Sequence, residues 1–139
     1  MSELLVLVDT SAWIPFIRGG RHDTSDTLDQ LLAARHVATN DVVNAELLIG
    51  AKDHQGYQEF ESDLGAIPHL ALDRKVWARV GRLGFALKRQ GLSIPVPDLA
   101  IAACAMEYGC ALLHADRHFE LIAKHAPLKI YKPARAVSG

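Results

Sequence analysis

Short, uninterrupted apolar runs alternate with helix-period segments along this chain, and no other feature limits its fold as strongly. The first run, Leu-Leu-Val-Leu-Val at residues 4–8, ends at Asp9. Runs of this kind are typical of strands that are covered on both faces, as in a parallel sheet. Further strands are predicted at residues 37–39, 67–72, 111–114 and 128–131. The pattern therefore predicts an α/β fold with three layers, α/β/α, around a central, mostly parallel sheet of four to five strands.

Helix-period apolar spacing occupies the segments between these strands. Leu28, Leu31 and Leu32, for example, recur at i, i+3 and i+4, which indicates one face of a helix. Residues around Ile101 are apolar on nearly all sides, which predicts a central, buried helix. Helices are predicted at residues 25–35, 41–51, 57–64, 73–91, 99–106 and 116–125, with a further short helix from about residue 12.

Length and composition indicate one globular domain over residues 1–139, with 50% apolar and 22% charged residues. The net charge of −1 excludes a protein that is basic overall, so any surface that binds nucleic acid must be local. Cys104 and Cys110 are interpreted as buried thiols of a reducing compartment. Neither a signal-peptide pattern nor an apolar run of membrane-spanning length is present. We therefore expect a cytoplasmic protein that has no contact with membranes.

Four acidic residues far apart in sequence form the main candidate site: Asp9, Glu46, Asp98 and Asp116. Asp9 and Asp116 follow predicted strands, and Asp98 lies at the start of the buried helix. Because strand ends and helix starts share one edge of a parallel sheet, these acids can converge there. Crowded carboxylates repel one another unless a divalent cation such as Mg²⁺ or Mn²⁺ lies between them. The set predicts metal-assisted attack of water on a phosphodiester.

Each acid also has a simpler explanation. Asp9, Asp98 and Asp116 can each be a helix cap, and Glu46 can be a surface residue. The functional interpretation therefore depends on the set. The sequence contains no Walker A loop, GxGxxG, HExxH or zinc-spaced Cys/His motif. Ser11 has no partner from a nucleophile motif, so it is expected to support the metal ligands or to cap a helix.

Four short motifs resemble those of the PIN-domain family, specifically VapC-type toxins of bacterial toxin–antitoxin systems. They are VDTSAW at residues 8–13, NAELLIG at 44–50, PDLAIAA at 97–103 and LLHADRHF at 112–119. The resemblance covers essentially the whole chain. It implies an endoribonuclease that depends on Mg²⁺ or Mn²⁺ and uses Asp9, Glu46, Asp98 and Asp116 as its catalytic, metal-binding acids. It also implies an RNA substrate, a VapB-type antitoxin that blocks the active site, and a homodimer.

The fourth motif departs from the family pattern at two positions. His114 stands where Thr or Ser is common, and His118 stands where a further Asp is common. We expect Ser11, His114 and Arg117 to support the site, with Arg117 in contact with phosphate. His118 is expected to be at most auxiliary, as a partly exposed helix histidine.

Two surfaces are candidates for binding partners. The long predicted helix carries a stripe of basic residues that either guides RNA or is an ordinary solvated face. A patch of apolar residues after Asp9 either receives an antitoxin helix or belongs to the core. Gly81 and Gly84 either allow close approach of another helix, including one from a second subunit, or only weaken their own helix. The stripe comprises Lys75, Arg79, Arg82 and Arg89, and the patch comprises Trp13, Ile14, Phe16 and Ile17.

Other functions fit the sequence less well. A phosphoryl-accepting receiver domain would need paired acids at the first strand end and a lysine after a late strand. A haloacid-type phosphatase would need a second Asp where Ser11 stands. The main alternative is a PIN fold that binds RNA or a partner without cleaving.

Overall fold

Three parallel strands lie at the centre of the molecule, and seven helices accompany them in the described part of the chain, residues 4–19 and 23–133 of the computed structural model. The strands are short and the helices carry most of the chain, so the layers depend on helix packing. In chain order the elements are β1 (Val6–Val8), α1 (Thr10–Arg18), α2 (Asp23–Ala33), β2 (Val37–Ala38), α3 (Asp41–Ile49), α4 (His54–Gly65), α5 (Arg74–Arg89), α6 (Val96–Tyr108), β3 (Ala111–Leu113) and α7 (Arg117–His125).

The strand order is β2-β1-β3, and both pairings are parallel. The predicted α/β class is confirmed. The predicted strands at 67–72 and 128–131 are present only as single bridges, from His69 to Thr39 and from Ile130 to Leu112. Pro68 lies within the first of these segments and Pro127 directly precedes the second, and proline has no N–H to donate to a ladder. Five chain segments therefore lie side by side, although only three form strands.

The order of the strands creates a crevice at one edge of the sheet. The chain leaves β1 towards β2, returns past β1 to β3, and then continues outward to Ile130. Because crossovers between parallel strands are almost always right-handed, connections that leave β1 in opposite directions are expected to place helices on both faces of the sheet, as three layers require. Connections from the neighbouring strands β1 and β3 diverge, and ligands of open α/β sheets bind at such a point. Asp9 and Asp116 follow these two strands.

Helix α6 is the central helix that its apolar sequence predicts. All of its residues from Leu99 to Ala105 are buried. Most of these side chains are Ala, so neighbouring elements can approach closely, and α6 packs against α3, α5, α7 and β3. The β1 residues are buried as well, as expected for a strand covered on both faces.

Polar caps set most helix starts. Asn40 accepts from the Val43 N–H at the start of α3, and Asp73 accepts from the Val76 N–H at the start of α5. Helix α4 begins earlier than its predicted start at residue 57, because Asp53 caps it by accepting from the Gly56 N–H. None of the described helices is long and apolar enough to cross a membrane.

Both cysteines are free and buried, as expected. Burial raises the pKa of the Cys104 thiol to about 11. Since the thiolate is the reactive form, Cys104 is an inert part of the core.

Candidate active site

Asp9 is buried at the carboxyl end of β1, with only 4% of its surface exposed. Its backbone N–H donates to the Leu113 carbonyl of β3, which holds it beside the neighbouring strand. Its Oδ2 accepts from the Ser11 N–H at 2.9 Å and from the Ser11 hydroxyl at 2.6 Å. Asp9 is therefore the N-cap of α1 and also a buried acid at the sheet edge.

The electrostatics of Asp9 show that other acids lie near it. Burial raises the pKa of the Asp9 carboxyl, and the two hydrogen bonds from Ser11 oppose this rise. The carboxylates of Asp98 and Glu46 raise the pKa further by repulsion. Acids from α3 and α6 are therefore close enough to repel the acid that follows β1.

Glu46 reaches this edge from α3. Its Oε1 accepts from the hydroxyl of Thr10 at 2.7 Å, and Thr10 is the residue next to Asp9. Glu46 is exposed, as the surface interpretation predicts. That interpretation does not account for the hydrogen bond from Thr10. Sequence reasoning did not single out Thr10. The sequence shows a hydroxyl, that of Thr10, beside the candidate ligand Asp9. It carries no sign of the contact with Glu46, because that residue lies 36 residues away.

Asp98, Asp116 and His118 form a compact group at the starts of α6 and α7. One potential ligand atom from each lies within 4.8 Å of the others. His118 Nδ1 is 2.9 Å from Asp98 Oδ2 and 3.7 Å from Asp116 Oδ1. His118 is a partly exposed helix residue, with 32% of its side chain exposed, but its ring contacts two candidate ligands. Sequence reasoning did not place it there.

The interpretation as a helix cap is correct for Asp116 and wrong for Asp98. Asp116 is the N-cap of α7 and accepts from the His118 N–H at 2.9 Å. For Asp98 the capping interpretation is wrong. Helix α6 begins at Val96 after Pro95, so Asp98 lies within the first turn. Its carboxylate is free of the capping role and 18% exposed.

Ser11 connects the two strand ends. Its hydroxyl donates to Asp9 and accepts from the Ala115 N–H at 2.9 Å. Ala115 immediately precedes Asp116, so one side chain ties the acid after β1 to the loop after β3. These contacts are those expected of a residue that supports the candidate ligands. The capping role expected for Ser11 is wrong, because Asp9 is the N-cap of α1 and accepts from the Ser11 N–H.

His114 supports Asp116 through the backbone. Its Nδ1 accepts from the Asp116 N–H at 3.1 Å, so in this arrangement Nε2 carries the proton that is donated to Glu120 at 2.9 Å. The ring packs against Phe119, and only 8% of the side chain is exposed. Arg117 is the first residue of α7 and is exposed.

The donor set fits a divalent cation. It consists of carboxylate oxygens with one imidazole nitrogen, and the buried Asp9 is repelled by two neighbouring acids. Hard divalent ions prefer oxygen ligands, and a positive charge relieves the repulsion between neighbouring carboxylates. The structure thus brings the four predicted acids to one edge of the sheet, and their assignment as ligands remains a prediction.

A cleft of about 590 Å³ opens beside Glu46. Of the predicted apolar patch, Trp13 belongs to the core, whereas Ile14 and Ile17 are more than one-third exposed and line the cleft with Leu47 and Phe60. The core interpretation is therefore confirmed for Trp13, and the interpretation as a surface for an antitoxin helix stays a prediction for Ile14 and Ile17.

Two residues of the predicted basic stripe are engaged within the chain. Arg79 forms an ion pair with Glu107, and the Arg89 guanidinium lies 5.8 Å from the centre of the Phe85 ring. These contacts favour the interpretation of the stripe as an ordinary helix face.

Comparison with known proteins finds similar sequences and a similar fold. Ribonuclease VapC11 of Mycobacterium tuberculosis is 28% identical over 124 residues, which cover 86% of this chain and 92% of the relative. Ribonuclease VapC21 of the same species is 28% identical over 128 residues, 88% of each chain. The structure of VapBC2 from Rickettsia felis, bound to a DNA fragment from its promoter, superposes with a TM-score of 0.77 at 22% identity. That match covers 92% of this chain and 98% of the other.

The PIN-domain family model matches residues 6–125, a span that contains all four acids, Ser11, His114 and His118. Because this match covers most of the sequence, the chain belongs to the PIN-domain family.

Proposed function

We propose that this protein is an endoribonuclease toxin that cleaves RNA phosphodiester bonds with Mg²⁺ or Mn²⁺. The observation that carries the proposal is the convergence of Asp9, Glu46, Asp98 and Asp116 from four different elements at the β1–β3 crevice. Relatives with ribonuclease names support the activity. An RNA substrate would place the protein in the cytoplasm, as the sequence analysis expects.

The residues of the chain orient the site. The four acids would hold the metal ions, and Ser11, Thr10 and His114 hold Asp9, Glu46 and the Asp116 backbone in position. When bound, the ion supplies Lewis acidity that activates water and offsets phosphate charge. Fixed ligands raise the rate because they need no rearrangement during the reaction. Arg117, exposed at the start of α7, would contact the RNA backbone.

The cleft beside Glu46 suits the helix of a VapB-type antitoxin. An amphipathic helix binds by placing its apolar face in an apolar groove, and Ile14, Ile17 and Phe60 supply such a surface. Glu46 and Thr10 line the same cleft, so a helix bound there would cover part of the acidic site. Related structures are VapBC toxin–antitoxin complexes, which supports a partner of this kind.

A second copy of the chain would pack against α5. Trp77 is 44% exposed and Phe85 is 67% exposed, and with Gly81 they recur every four residues on one helix face. Gly81 has open space where a Cβ would be, so a helix from another subunit can approach closely. We therefore propose a homodimer. Within each subunit, we propose that residues 1–139 form one domain.

Metal-dependent cleavage is the direct test. Single-stranded RNA should be cut with Mg²⁺ or Mn²⁺ and left intact in EDTA. Asp9→Asn and Asp98→Ala should each reduce the rate by about 100-fold or more, as expected for groups that stabilise transition-state charge. The control is Asp29→Asn, which removes an exposed carboxylate of α2 and should leave the rate unchanged.

Cleavage that persists in EDTA, or full activity of Asp9→Asn, would reject the proposal. The non-cleaving alternative predicts RNA or partner binding without cut ends. Sequencing of cellular RNA ends after brief expression of the wild type and of Asp98→Ala distinguishes the two, and it also locates the target.

A further inference from the structure

We propose that His118 is itself a metal ligand through Nδ1, and that this nitrogen makes the site prefer Mn²⁺ and later first-row ions over Mg²⁺. The inference rests on the metal-dependent function proposed above. It gives His118 a larger role than the auxiliary one that the sequence suggests.

The distances suit one shared ion. His118 Nδ1 lies 2.9 Å from Asp98 Oδ2 and 3.7 Å from Asp116 Oδ1. Ligands about 2.1 Å from an octahedral ion are about 3 Å apart when adjacent and about 4 Å apart when opposite. The two distances from His118 Nδ1 therefore lie close to the spacing of ligands in a common coordination shell, and the ligand atoms of all three residues lie within 4.8 Å of one another.

The ring of His118 is held at this position by its surroundings. The His118 N–H donates to Asp116 Oδ1 at the start of α7, and the next residue, Phe119, is completely buried. The ring Nδ1 faces Asp98 Oδ2, on α6, at 2.9 Å. Contacts from two elements thus direct the imidazole towards the acids rather than into solvent.

The chemistry of nitrogen donors determines the expected selectivity. Mg²⁺ prefers oxygen ligands and gives up its water reluctantly. Affinity of a site with nitrogen donors rises along the series from Mn²⁺ to Cu²⁺. The four acids supply only oxygen, so His118 is the member of the described cluster that can separate Mn²⁺ from Mg²⁺. A carboxylate at position 118 would supply oxygen in place of nitrogen and would remove the preference for Mn²⁺ over Mg²⁺.

A purely structural role for His118 predicts a different result. If the ring only held Asp98 by a hydrogen bond, its loss would weaken Mn²⁺ and Mg²⁺ binding by the same factor. The ratio of the two dissociation constants therefore separates a ligand from a positioning residue.

The test measures binding of each metal ion alone, by calorimetry on the full chain without RNA. His118→Ala should weaken Mn²⁺ binding about 10-fold and Mg²⁺ binding much less. His118→Asp should bring the Mn²⁺/Mg²⁺ affinity ratio well below the wild-type ratio by strengthening Mg²⁺ binding. The matched control is His125→Ala, at the exposed end of the same helix, which should keep the wild-type ratio.

Pulsed electron paramagnetic resonance of bound Mn²⁺ provides a direct second measurement. A nitrogen coupling from a coordinated imidazole should be present in the wild type and in His125→Ala, and absent in His118→Asp. An unchanged affinity ratio in both His118 variants, or no nitrogen coupling in the wild type, would overturn this inference and leave the metal-dependent function standing. If neither ion binds the wild type, the metal-dependent function itself fails.

Discussion

Asp9 shows that a helix cap and a candidate metal ligand can be the same residue. The Ser11 hydrogen bonds that complete the cap of α1 also orient the carboxylate at the sheet edge. Asp116 is likewise both a helix cap, at the start of α7, and a candidate ligand. At this scale, sequence reasoning offered capping and ligation as alternatives, whereas the structure shows that one does not exclude the other.

His114 illustrates a substitution whose effect is visible only in three dimensions. The resemblance described in the sequence analysis predicts Thr or Ser at this position. Here a ring nitrogen accepts from the Asp116 N–H, and the second nitrogen is paired with Glu120. The backbone that carries Asp116 is therefore held by imidazole.

The stability of the metal-free protein should depend on pH through Asp9. Burial raises the pKa of Asp9 in the folded state, so the unfolded chain loses this proton at a lower pH. Between the two pKa values the unfolded state binds fewer protons, and stability falls as pH rises through that window. At pH 7 in EDTA, Asp9→Asn should therefore melt at a higher temperature than the wild type.

Thermal unfolding between pH 3 and 8 measures this effect. The advantage of Asp9→Asn should shrink at pH values below about 3.9, the ordinary pKa of Asp. A wild type that gains stability relative to the variant as pH rises would contradict the assigned cause. Added Mn²⁺ should stabilise the wild type more than the variant.

At the scale of elements, helices were predicted better than strands. Helix periodicity and cap residues act within one or two turns, so α5 and α7 have nearly their predicted bounds. Strands are completed by partners elsewhere in the chain. The segments around His69 and Ile130 contribute one bridge each, and nothing local distinguishes such a bridge from a strand.

Two glycines of α5 should respond oppositely to the same substitution. A Cβ on Gly84 would lie 2.9 Å from Leu99 Cδ1 in α6, whereas Gly81 has nothing within 4 Å. Gly81→Ala should stabilise the folded chain by about 1 kcal/mol through helix propensity. Gly84→Ala should destabilise it by about 1 kcal/mol, because overpacking costs about 1–3 kcal/mol and outweighs the same gain.

Urea unfolding at low protein concentration measures the change in the free energy of unfolding for both variants. Equal shifts in the two variants would show that the α5–α6 contact does not require glycine at position 84. The structure thus separates the two glycines that sequence reasoning treated together.

At the scale of the whole molecule, strand order decides whether a site exists. The order β2-β1-β3 places Asp9 and Asp116 after neighbouring strands whose connections diverge. Any order that separated β1 from β3 would leave these acids apart. The sequence shows where the strands are but carries no local signal for their order.

The proposed dimer provides a test at this scale. Phe85→Arg places a charge on the exposed face of α5 and should convert the dimer into a folded monomer, as measured by light scattering. Ile49→Arg changes an even more exposed apolar residue, on α3, and should leave the mass unchanged. A wild-type monomer, or a Phe85→Arg dimer, would contradict an interface on this face.

The sequence by itself determined the α/β class, the starts of α3, α5 and α7, the buried α6 and the four candidate acids, because these depend on short-range periodicity, capping and motif order. Only the tertiary structure decided that Thr10 holds Glu46, that Ser11 ties the Asp9 carboxylate to the loop before Asp116, and that His118 faces Asp98. Each of these contacts joins elements that are distant in sequence, and side-chain direction across such distances follows from packing rather than from local pattern.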